Sequence, residues 1–369
     1  MKPEKKQLNI LFVARDPGGC GFYRCEQPAK FLTRAGLANA YSTLKNPTEQ
    51  ELYAADLVVM QEMGTIEASN IVKFLEQHKI PYMTEFDDFV HHVSPHNISG
   101  YTAWNPSTLF LYRAMEITKR AAGVTVSTGQ LAREFFPYNP YVYVLPNYLD
   151  KDRGDVPVVK RQDDRIRIGW CGGNAHADDL YMVSKVIERI VIEYDGKVIF
   201  ETMGMTRQEL AGVFPMPAVS NDACPSCGFE GSLHHFPGEL YESFPTALAS
   251  HGWDIAIAPV IDNAFGNAKS DLKVKEYSAL GYPVVASAVR PYRDAKQAGA
   301  PILLAETYNE WYTALKSLID DPEKRDTMAR EAKEWAQGNW IQDRIPELFE
   351  AYKDTIRRYT QVVGARTPQ

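Results

Sequence analysis

One stretch of the chain, from Asp254 to Ser287, constrains the fold more than any other. The run Asp254–Pro259 is short and apolar and is bounded by a proline, a pattern typical of a buried strand. A loop rich in glycine and asparagine follows, then a helical segment, then a second strand over Pro283–Ser287. A helix between two strands is the crossover that joins parallel neighbours, so the stretch predicts a parallel α/β sheet.

The helix in this stretch has recognisable ends. Ser270 is suited to cap a helix that begins at Asp271, because a serine oxygen can accept a hydrogen bond from an unpaired backbone N–H. Gly281 suits the position after the helix end, and Pro283 prevents the helix from continuing.

One face of the helix is predicted to carry Lys269, Lys273 and Glu276, since residues three and four apart are neighbours. Two cations beside a helix N-terminus favour a phosphate, and a carboxylate further along can accept two hydrogen bonds from a ribose diol. The alternative is an amphipathic helix with a solvated Lys/Glu face. We favour the ligand site, because open α/β sheets bind ligands at the carboxyl ends of their strands.

The run KSDLKVKEYSALGYPVVAS resembles the donor-binding segment of GT-B glycosyltransferases, especially the large retaining family 4. That family usually has two glutamates eight positions apart, followed by a small-residue helix end and G-x-P-V-V. Glu276 matches the second glutamate, which in the family holds the donor ribose, whereas Ala268 stands where the first would be. Lys269 and Ser270 occupy that stretch instead, as in a divergent branch with phage and bacterial members.

Length and composition limit the classes of protein. A chain of 369 residues can form two domains, and 45% hydrophobic with 24% charged residues is typical of a soluble globular protein. The net charge of −7 gives no overall basic footprint for nucleic acid or membrane. No stretch is long enough to span a membrane, and the N-terminal apolar run is interpreted as a first strand. Five cysteines, an odd number, favour a reducing, cytoplasmic setting with free thiols.

Two halves each alternate strands with helices, which predicts two doubly wound α/β domains. The proposed boundaries are 1–150 for an acceptor domain, 151–165 for a polar linker and 166–340 for a donor domain, with a helix over 341–361 packing back on the first. The resemblance implies a GT-B fold, with two facing Rossmann-like domains and a cleft between them. The linker is expected to have few contacts and to allow the halves to close on a donor.

The secondary structure expected in each half is as follows. Strands are predicted at Leu8–Ala14, Asp56–Met60, Tyr82–Phe86, Gly123–Ser127, Val142–Pro146, Ile166–Trp170, Lys197–Thr202 and Ile302–Leu304, in addition to the two above. Helices are predicted at Ile66–Gln77, Thr108–Ala121, Asp178–Glu193 and Glu239–Ser250, through Pro28 and Leu32 to Gly36, and from Tyr308 to about Tyr359.

A glycine-rich loop follows the first strand of each half. Glycines let the backbone approach a ligand closely, and in family 4 the first loop lies beside the donor diphosphate. The alternative for the first loop is a simple turn. The residues predicted to bind the donor in these loops are Gly18, Gly19, Gly21 and Arg24 in the first half, and Gly172, Gly173 and His176 in the second. They are predicted to act together with Lys269, Ser270, Lys273 and Glu276. For His176, an exposed loop histidine without a ligand is an equal alternative.

Acidic residues at the end of the strand Tyr82–Phe86 are the candidates for catalysis. Asp87, Asp88 and His91 follow this strand, and an acceptor hydroxyl needs a base or a hydrogen-bond partner. Two adjacent acids on an extended strand cannot both face one pocket, so we expect one to be catalytic and the other structural. Metal binding by the pair is the rival, although GT-A enzymes use a different Asp-x-Asp spacing.

A separate cluster joins Cys224 and Cys227 to the nearby His234 and His235. The Cys-x-x-Cys spacing suits zinc, but a second matching pair is absent from the sequence, so free thiols are favoured.

Together these residues and the resemblance to family 4 imply a glycosyltransferase that uses a UDP- or GDP-linked sugar, retains anomeric configuration and needs neither a metal nor another cofactor. One alternative is a phage-type DNA glycosyltransferase acting on a hydroxymethylated pyrimidine, and another is an inactive nucleotide-binding module. A nicotinamide-dependent oxidoreductase is disfavoured, because Arg24 stands where G-x-G-x-x-G requires its third glycine.

Overall fold

The fold is taken from a computed structural model that describes residues 7–95, 97–161, 163–214, 233–236, 238 and 243–364. These residues form two six-stranded parallel sheets. The strands of the first sheet are β1 Leu8–Val13, β2 Ala38–Thr43, β3 Leu57–Gln61, β4 Tyr82–Phe86, β5 Gly123–Val126 and β6 Val142–Val144. Those of the second are β7 Ile166–Cys171, β8 Val198–Met203, β9 Leu233–Phe236, β10 Ile255–Ala258, β11 Val284–Ser287 and β12 Ile302–Ala305.

Helices cover both sheets. Those of the first half are α1 Gly19–Gly21, α2 Gln27–Arg34, α3 Glu49–Ala54, α4 Ile66–Gln77, α5 Ile98–Trp104, α6 Leu109–Arg120, α7 Gly129–Phe135 and α8 Lys151–Gly154, with a π-helical turn at Phe22–Glu26. Those of the second half are α9 Ala177–Glu193, α10 Arg207–Val213, α11 Phe244–Ser250, α12 Ala264–Ala268, α13 Leu272–Leu280, α14 Arg290–Gln297, α15 Tyr308–Ile319, α16 Pro322–Ala336 and α17 Ile341–Val363.

The order of the strands fixes where each sheet can hold a ligand. The first sheet runs β2-β1-β3-β4-β5-β6, so the chain changes direction between β1 and β3. The second runs β12-β11-β10-β7-β8-β9, which is the Rossmann order with its reversal between β7 and β10. Ligands bind outside the carboxyl ends of the strands at such reversals. The glycine loops that follow β1 and β7 stand at these two points.

Burial explains why the strong strand predictions are confirmed. Strands β3, β4, β5, β8, β10 and β11 are buried along their whole length, as strands covered by helices on both faces must be. The sequence analysis missed two strands, β2 and β9, and the short helices α1, α3, α5, α7, α8, α10, α12 and α14. Strand β2 is half polar and only partly buried, because it lies at the edge of its sheet.

Helix ends account for the other differences. The helix predicted from Asp271 begins at Leu272, and its N-cap Asp271 makes no side-chain cap, so Ser270 is not the capping residue. Gly281 adopts φ 75°, the left-handed conformation expected after a helix end. The helical region predicted from Tyr308 is divided, because Pro322 begins a new helix and a short 3₁₀ turn precedes α17. The part of the predicted helix at 239–242 lies outside the described residues.

The linker is more firmly held than expected. At its start, the backbone N–H of Lys151 donates to Gln342 at 3.2 Å, and Asp152 pairs with Arg34. Just before the linker, Leu149 forms a bridge with Trp340, and the buried Asp150 pairs with Lys30 at 2.8 Å. Helix α17 packs on α2, with its apolar residues in the core of the first half. The expectation of few contacts is therefore wrong for the beginning of the linker, where the C-terminal helix returns to the first half.

Candidate donor site

The two reversal points border one cavity of about 200 Å³ between the two halves. The first half contributes the turn after β1 and the residues after β4, and the second contributes the loop after β7 and the segment around α13. The cavity is lined by Gly19, Cys20, Asp87, Asp88, His176, Val260, Lys269, Ser270, Leu272, Lys273, Glu276 and Tyr292.

Lys269 reaches across this cavity from the second half to the first. It lies in extended backbone between α12 and α13, and not on the helix as predicted. Its Nζ is 3.3 Å from Oδ1 of Asp88 and lies over the ring of Phe265. Burial by itself lowers the pKa of Lys269, but the charges of Asp88 and Asp179 outweigh it and raise the pKa, so the ammonium stays charged.

Lys273 is the second cation in the cavity, on the first turn of α13. Its Nζ donates a hydrogen bond to the backbone carbonyl of Cys171 and lies 5.5 Å from the ring centroid of Trp170. Burial lowers its pKa. A β-carbon at position 172 would lie 3.3 Å from this Nζ and 2.6 Å from the Trp170 ring, so glycine is required there.

His176 is held by an acid that the sequence analysis missed. Its Nδ1 lies 2.9 Å from Oδ2 of Asp179, one turn into α9, and the other oxygen of Asp179 accepts a hydrogen bond from the Ile261 amide. Burial lowers the pKa of His176, and the nearby Lys269 lowers it further. The imidazole is thus fixed in orientation between an acid and the two lysines.

Glu276 lines the cavity one turn along α13 from Lys273. Its Oε1 accepts a hydrogen bond of 2.8 Å from the hydroxyl of Tyr23 in the first half. Spacing alone placed Lys273 and Glu276 on one face, and both residues do line the same cavity. The tyrosine partner is 253 positions away in sequence and could not be predicted from spacing.

The two aspartates both line the cavity, so the expectation that only one could face it is wrong. Strand β4 ends at Phe86, and the aspartates lie in the bend beyond it, where the alternation of a strand no longer applies. Asp87 is buried and accepts a hydrogen bond of 3.0 Å from Asn147, which also donates to Ser270. Asp88 is 33% exposed and pairs with Lys269.

Arg24 does not line the cavity, which corrects its predicted place among the phosphate ligands. Its guanidinium is buried, pairs with Glu85 at 2.6 Å, and donates to the carbonyl of Leu145 and to Asn147. Burial raises the pKa of Glu85, and the adjacent Arg24 cation opposes this effect. Arg24 therefore acts indirectly: it donates to Asn147, which in turn donates to the cavity residues Asp87 and Ser270.

His91 is also outside the cavity, contrary to its prediction as a catalytic residue. Its ring stacks on Tyr138 with centroids 5.4 Å apart, and its Nε2 lies 3.1 Å from the Tyr138 hydroxyl. Burial lowers its pKa, so the imidazole packs as a neutral aromatic group.

The glycines of the two loops differ in their surroundings. A β-carbon at Gly21 would lie 1.8 Å from the Asp16 carbonyl oxygen, so this glycine is needed for a close backbone turn. Gly18 donates its N–H to Asp16, and Gly19 is the glycine of this loop that lines the cavity. Gly172 lies beside the cavity next to Lys273, whereas a β-carbon at Gly173 would meet open space.

Within the described residues, no three His, Cys, Asp or Glu side chains are grouped so as to hold a metal ion. Cys20, Cys25 and Cys171 are free thiols. Cys224 and Cys227 lie outside the described residues, while His234 is buried near Glu201 in the second sheet. No helix in the described part of the chain is both long and apolar enough to cross a bilayer.

Known structures share this architecture, although no protein-family model and no curated protein sequence matches the chain. HepE of Anabaena in complex with UDP-glucose has a TM-score of 0.65 and 14% identity, covering 95% of this chain and 100% of that one. An alpha-glucosyltransferase in complex with UDP-glucose and DNA containing an abasic site has a TM-score of 0.66 and 12% identity, with the same coverage.

Sucrose-phosphate synthase from Thermosynechococcus elongatus has a TM-score of 0.64 and 12% identity, and the match covers 96% of this chain and 100% of that one. These structural neighbours are GT-B glycosyltransferases. The chain has the GT-B fold. This confirms the fold class that was predicted from its sequence.

Proposed function

We propose that the chain is a glycosyltransferase that moves a sugar from a UDP-sugar to an acceptor hydroxyl. The observation that carries the proposal is the meeting of Lys269, Lys273, His176 and Glu276 around one cavity at the reversal points of both sheets. HepE and the alpha-glucosyltransferase were each solved with UDP-glucose, which favours uridine over guanosine as the nucleoside.

In the proposed complex, the diphosphate lies against Lys269, Lys273 and the start of α13, whose first backbone N–H groups favour an anion. His176 in its protonated form donates from Nε2 to the phosphate oxygens, while Asp179 stabilises the imidazolium through Nδ1. Glu276 accepts hydrogen bonds from the ribose hydroxyls. The second half thus holds most of the donor, as expected for a domain spanning 166–340.

The proposed reaction breaks the bond between the anomeric carbon and the diphosphate oxygen and forms one to the acceptor oxygen. Negative charge grows on the departing diphosphate, where the two ammonium groups and His176 stabilise it without a metal ion. Asp88 is the better placed of the two aspartates to meet an acceptor hydroxyl, because it is partly exposed while Asp87 is fixed by Asn147. We propose retention of configuration, with the acceptor proton passing to the departing phosphate oxygen.

The acceptor lies against the first half in this proposal, beside Gly19 and Asp88. A saccharide or another small hydroxyl compound is favoured by the net charge of −7, which does not attract a polyanion. A modified DNA base is the second candidate, and the similarity to a glucosyltransferase solved with DNA supports it. Binding to duplex DNA that weakens steeply with added salt would favour this second candidate.

The direct experiment is incubation of the protein with UDP-sugars and measurement of UDP release, without and with candidate acceptors. We expect slow release from one UDP-sugar and faster release with the right acceptor, unaffected by EDTA. Loss of activity in EDTA that manganese restores would overturn metal independence. Tight binding of UDP-sugars with no release under any condition would instead favour an inactive nucleotide-binding module.

A further inference from the structure

The hydrogen bond from Tyr23 to Glu276 joins the first half to the donor helix α13. Tyr23 follows the glycine turn after β1 directly, in the π-helical turn Phe22–Glu26. Such turns are rare and often occur at functional sites. The link therefore connects the glycine loop of one half to the carboxylate that we assign to the ribose in the other.

Packing fixes the position of the tyrosine. Tyr23 is 7% exposed and forms an apolar cluster with Phe22, Leu149 and Trp340. This cluster packs against Leu272 and Ala279 of α13. The Tyr23 ring meets Phe22 edge to face, with centroids 5.4 Å apart. A side chain held on several sides loses little entropy when its hydroxyl makes a hydrogen bond, so the contact with Glu276 is preorganised.

Glu276 lies between two cavities, and this position separates the tyrosine from the donor. Both the donor cavity and a smaller neighbouring cavity include Glu276 in their lining, whereas Tyr23 lines the smaller one. A carboxylate offers about four lone-pair sites, so a bond from a tyrosine and two from a ribose diol can coexist on it. A bound nucleoside therefore need not displace the tyrosine.

We propose that Tyr23 is a positioning residue for nucleoside recognition: its hydroxyl orients the Glu276 carboxylate toward the ribose hydroxyls of the donor. This inference rests on the proposed function. It makes the ribose subsite depend on the first half, so the donor site is complete only when the two halves meet. Tyr23 itself does not contact the donor.

The test compares UDP with 2′,3′-dideoxy-UDP, which keeps the base and diphosphate but lacks the ribose hydroxyls. Calorimetry with the full chain would measure both ligands on the wild type and on Tyr23→Phe. We expect Tyr23→Phe to weaken UDP about three- to tenfold, the effect of one lost hydrogen bond, and to leave dideoxy-UDP unchanged. The ratio of the UDP dissociation constant to the dideoxy-UDP dissociation constant therefore rises in the variant.

Tyr282→Phe is the matched control. Its hydroxyl donates a buried hydrogen bond of 2.9 Å to the Leu248 carbonyl, and neither residue lines the donor cavity. We expect this control to lower the melting temperature and to keep the wild-type ratio of UDP to dideoxy-UDP affinity.

Three outcomes would count against the inference. An unchanged ratio in Tyr23→Phe, with UDP still bound by the wild type, would overturn it and leave the proposed function intact. An equal loss for both ligands would also overturn it, because Tyr23 would then support the site only as packing. No binding of UDP by the wild type would overturn the proposed function and this inference together.

Discussion

Arg24 and Lys273 were both predicted from sequence to be cations that bind a phosphate beside a glycine loop. In the structure their surroundings differ. Arg24 is buried with the carboxylate of Glu85 and with Asn147, so its charge is matched inside the first half. Lys273 donates to a backbone carbonyl and faces the cavity. The comparison teaches that a cation beside a glycine loop can meet a ligand only where its side chain reaches the cavity, and Glu85 and Asn147 hold Arg24 away from it.

The largest effect expected from this comparison is on stability. Arg24→Met leaves the Glu85 carboxylate buried without its cation, which should lower the free energy of unfolding by about 3 kcal/mol. Urea denaturation followed by circular dichroism measures the change. Adding Glu85→Gln to Arg24→Met should recover part of the loss, because the unpaired charge is then removed. A stable Arg24→Met variant that has lost UDP affinity would reverse the roles assigned here.

Lys273→Met should produce the opposite pattern. The methionine keeps most of the side-chain volume, and a buried ammonium is already costly, so we expect the free energy of unfolding to change by less than about 1 kcal/mol. The UDP dissociation constant should rise about tenfold to a hundredfold, as for loss of a hydrogen bond to a charged group. Calorimetry on the folded variant measures this. The control is Lys324→Met, which removes a partly buried lysine of α16 that donates to Ser317 and does not line the cavity. Wild-type affinity in Lys273→Met would remove this lysine from the site.

A smaller effect is expected from pH through His176. Burial lowers the pKa of His176 in the free protein, and a bound diphosphate should raise it, so binding takes up a proton. The added affinity is complete below the free-protein pKa and is lost as pH rises through the bound-state pKa. UDP-glucose is the suitable ligand, because its diphosphate does not titrate near neutral pH. We expect the affinity of the wild type for UDP-glucose to fall as the pH rises from 5.5 to 8, and the affinity of His176→Gln to change less over this range. Identical pH profiles for the two proteins would contradict this.

The same contrast shows how far sequence reasoning could go. Local rules placed Lys273 and Glu276 correctly, because residues three apart on a helix share a face. They also placed Gly281 correctly, because a helix end there needs a left-handed residue. Asp179 and Tyr23 were missed. Tyr23 reaches Glu276 only through tertiary packing, so its spacing gives no signal. Asp179 lies three residues after His176, and this helical spacing could have predicted their contact.

The predictions that His91 and Arg24 lie in the site were wrong for the same physical reason. Their positions after a strand or a glycine turn were compatible with the cavity, but the direction of a side chain beyond a strand depends on what packs around it. The direction of the His91 side chain is set by stacking on the Tyr138 ring, and that of Arg24 by its ion pair with Glu85. The fold class needed only the order of strands and helices, which the apolar pattern supplied.

The central claim is that this cavity binds a nucleoside diphosphate with Glu276 on its ribose. The most direct measurement is calorimetric titration of UDP into wild type and Glu276→Ala, with melting temperatures recorded for both. We predict a loss of about 1–3 kcal/mol of binding free energy, from truncation of a charged hydrogen-bond partner, in a variant that remains folded. Unchanged UDP affinity in a folded Glu276→Ala protein would contradict the account.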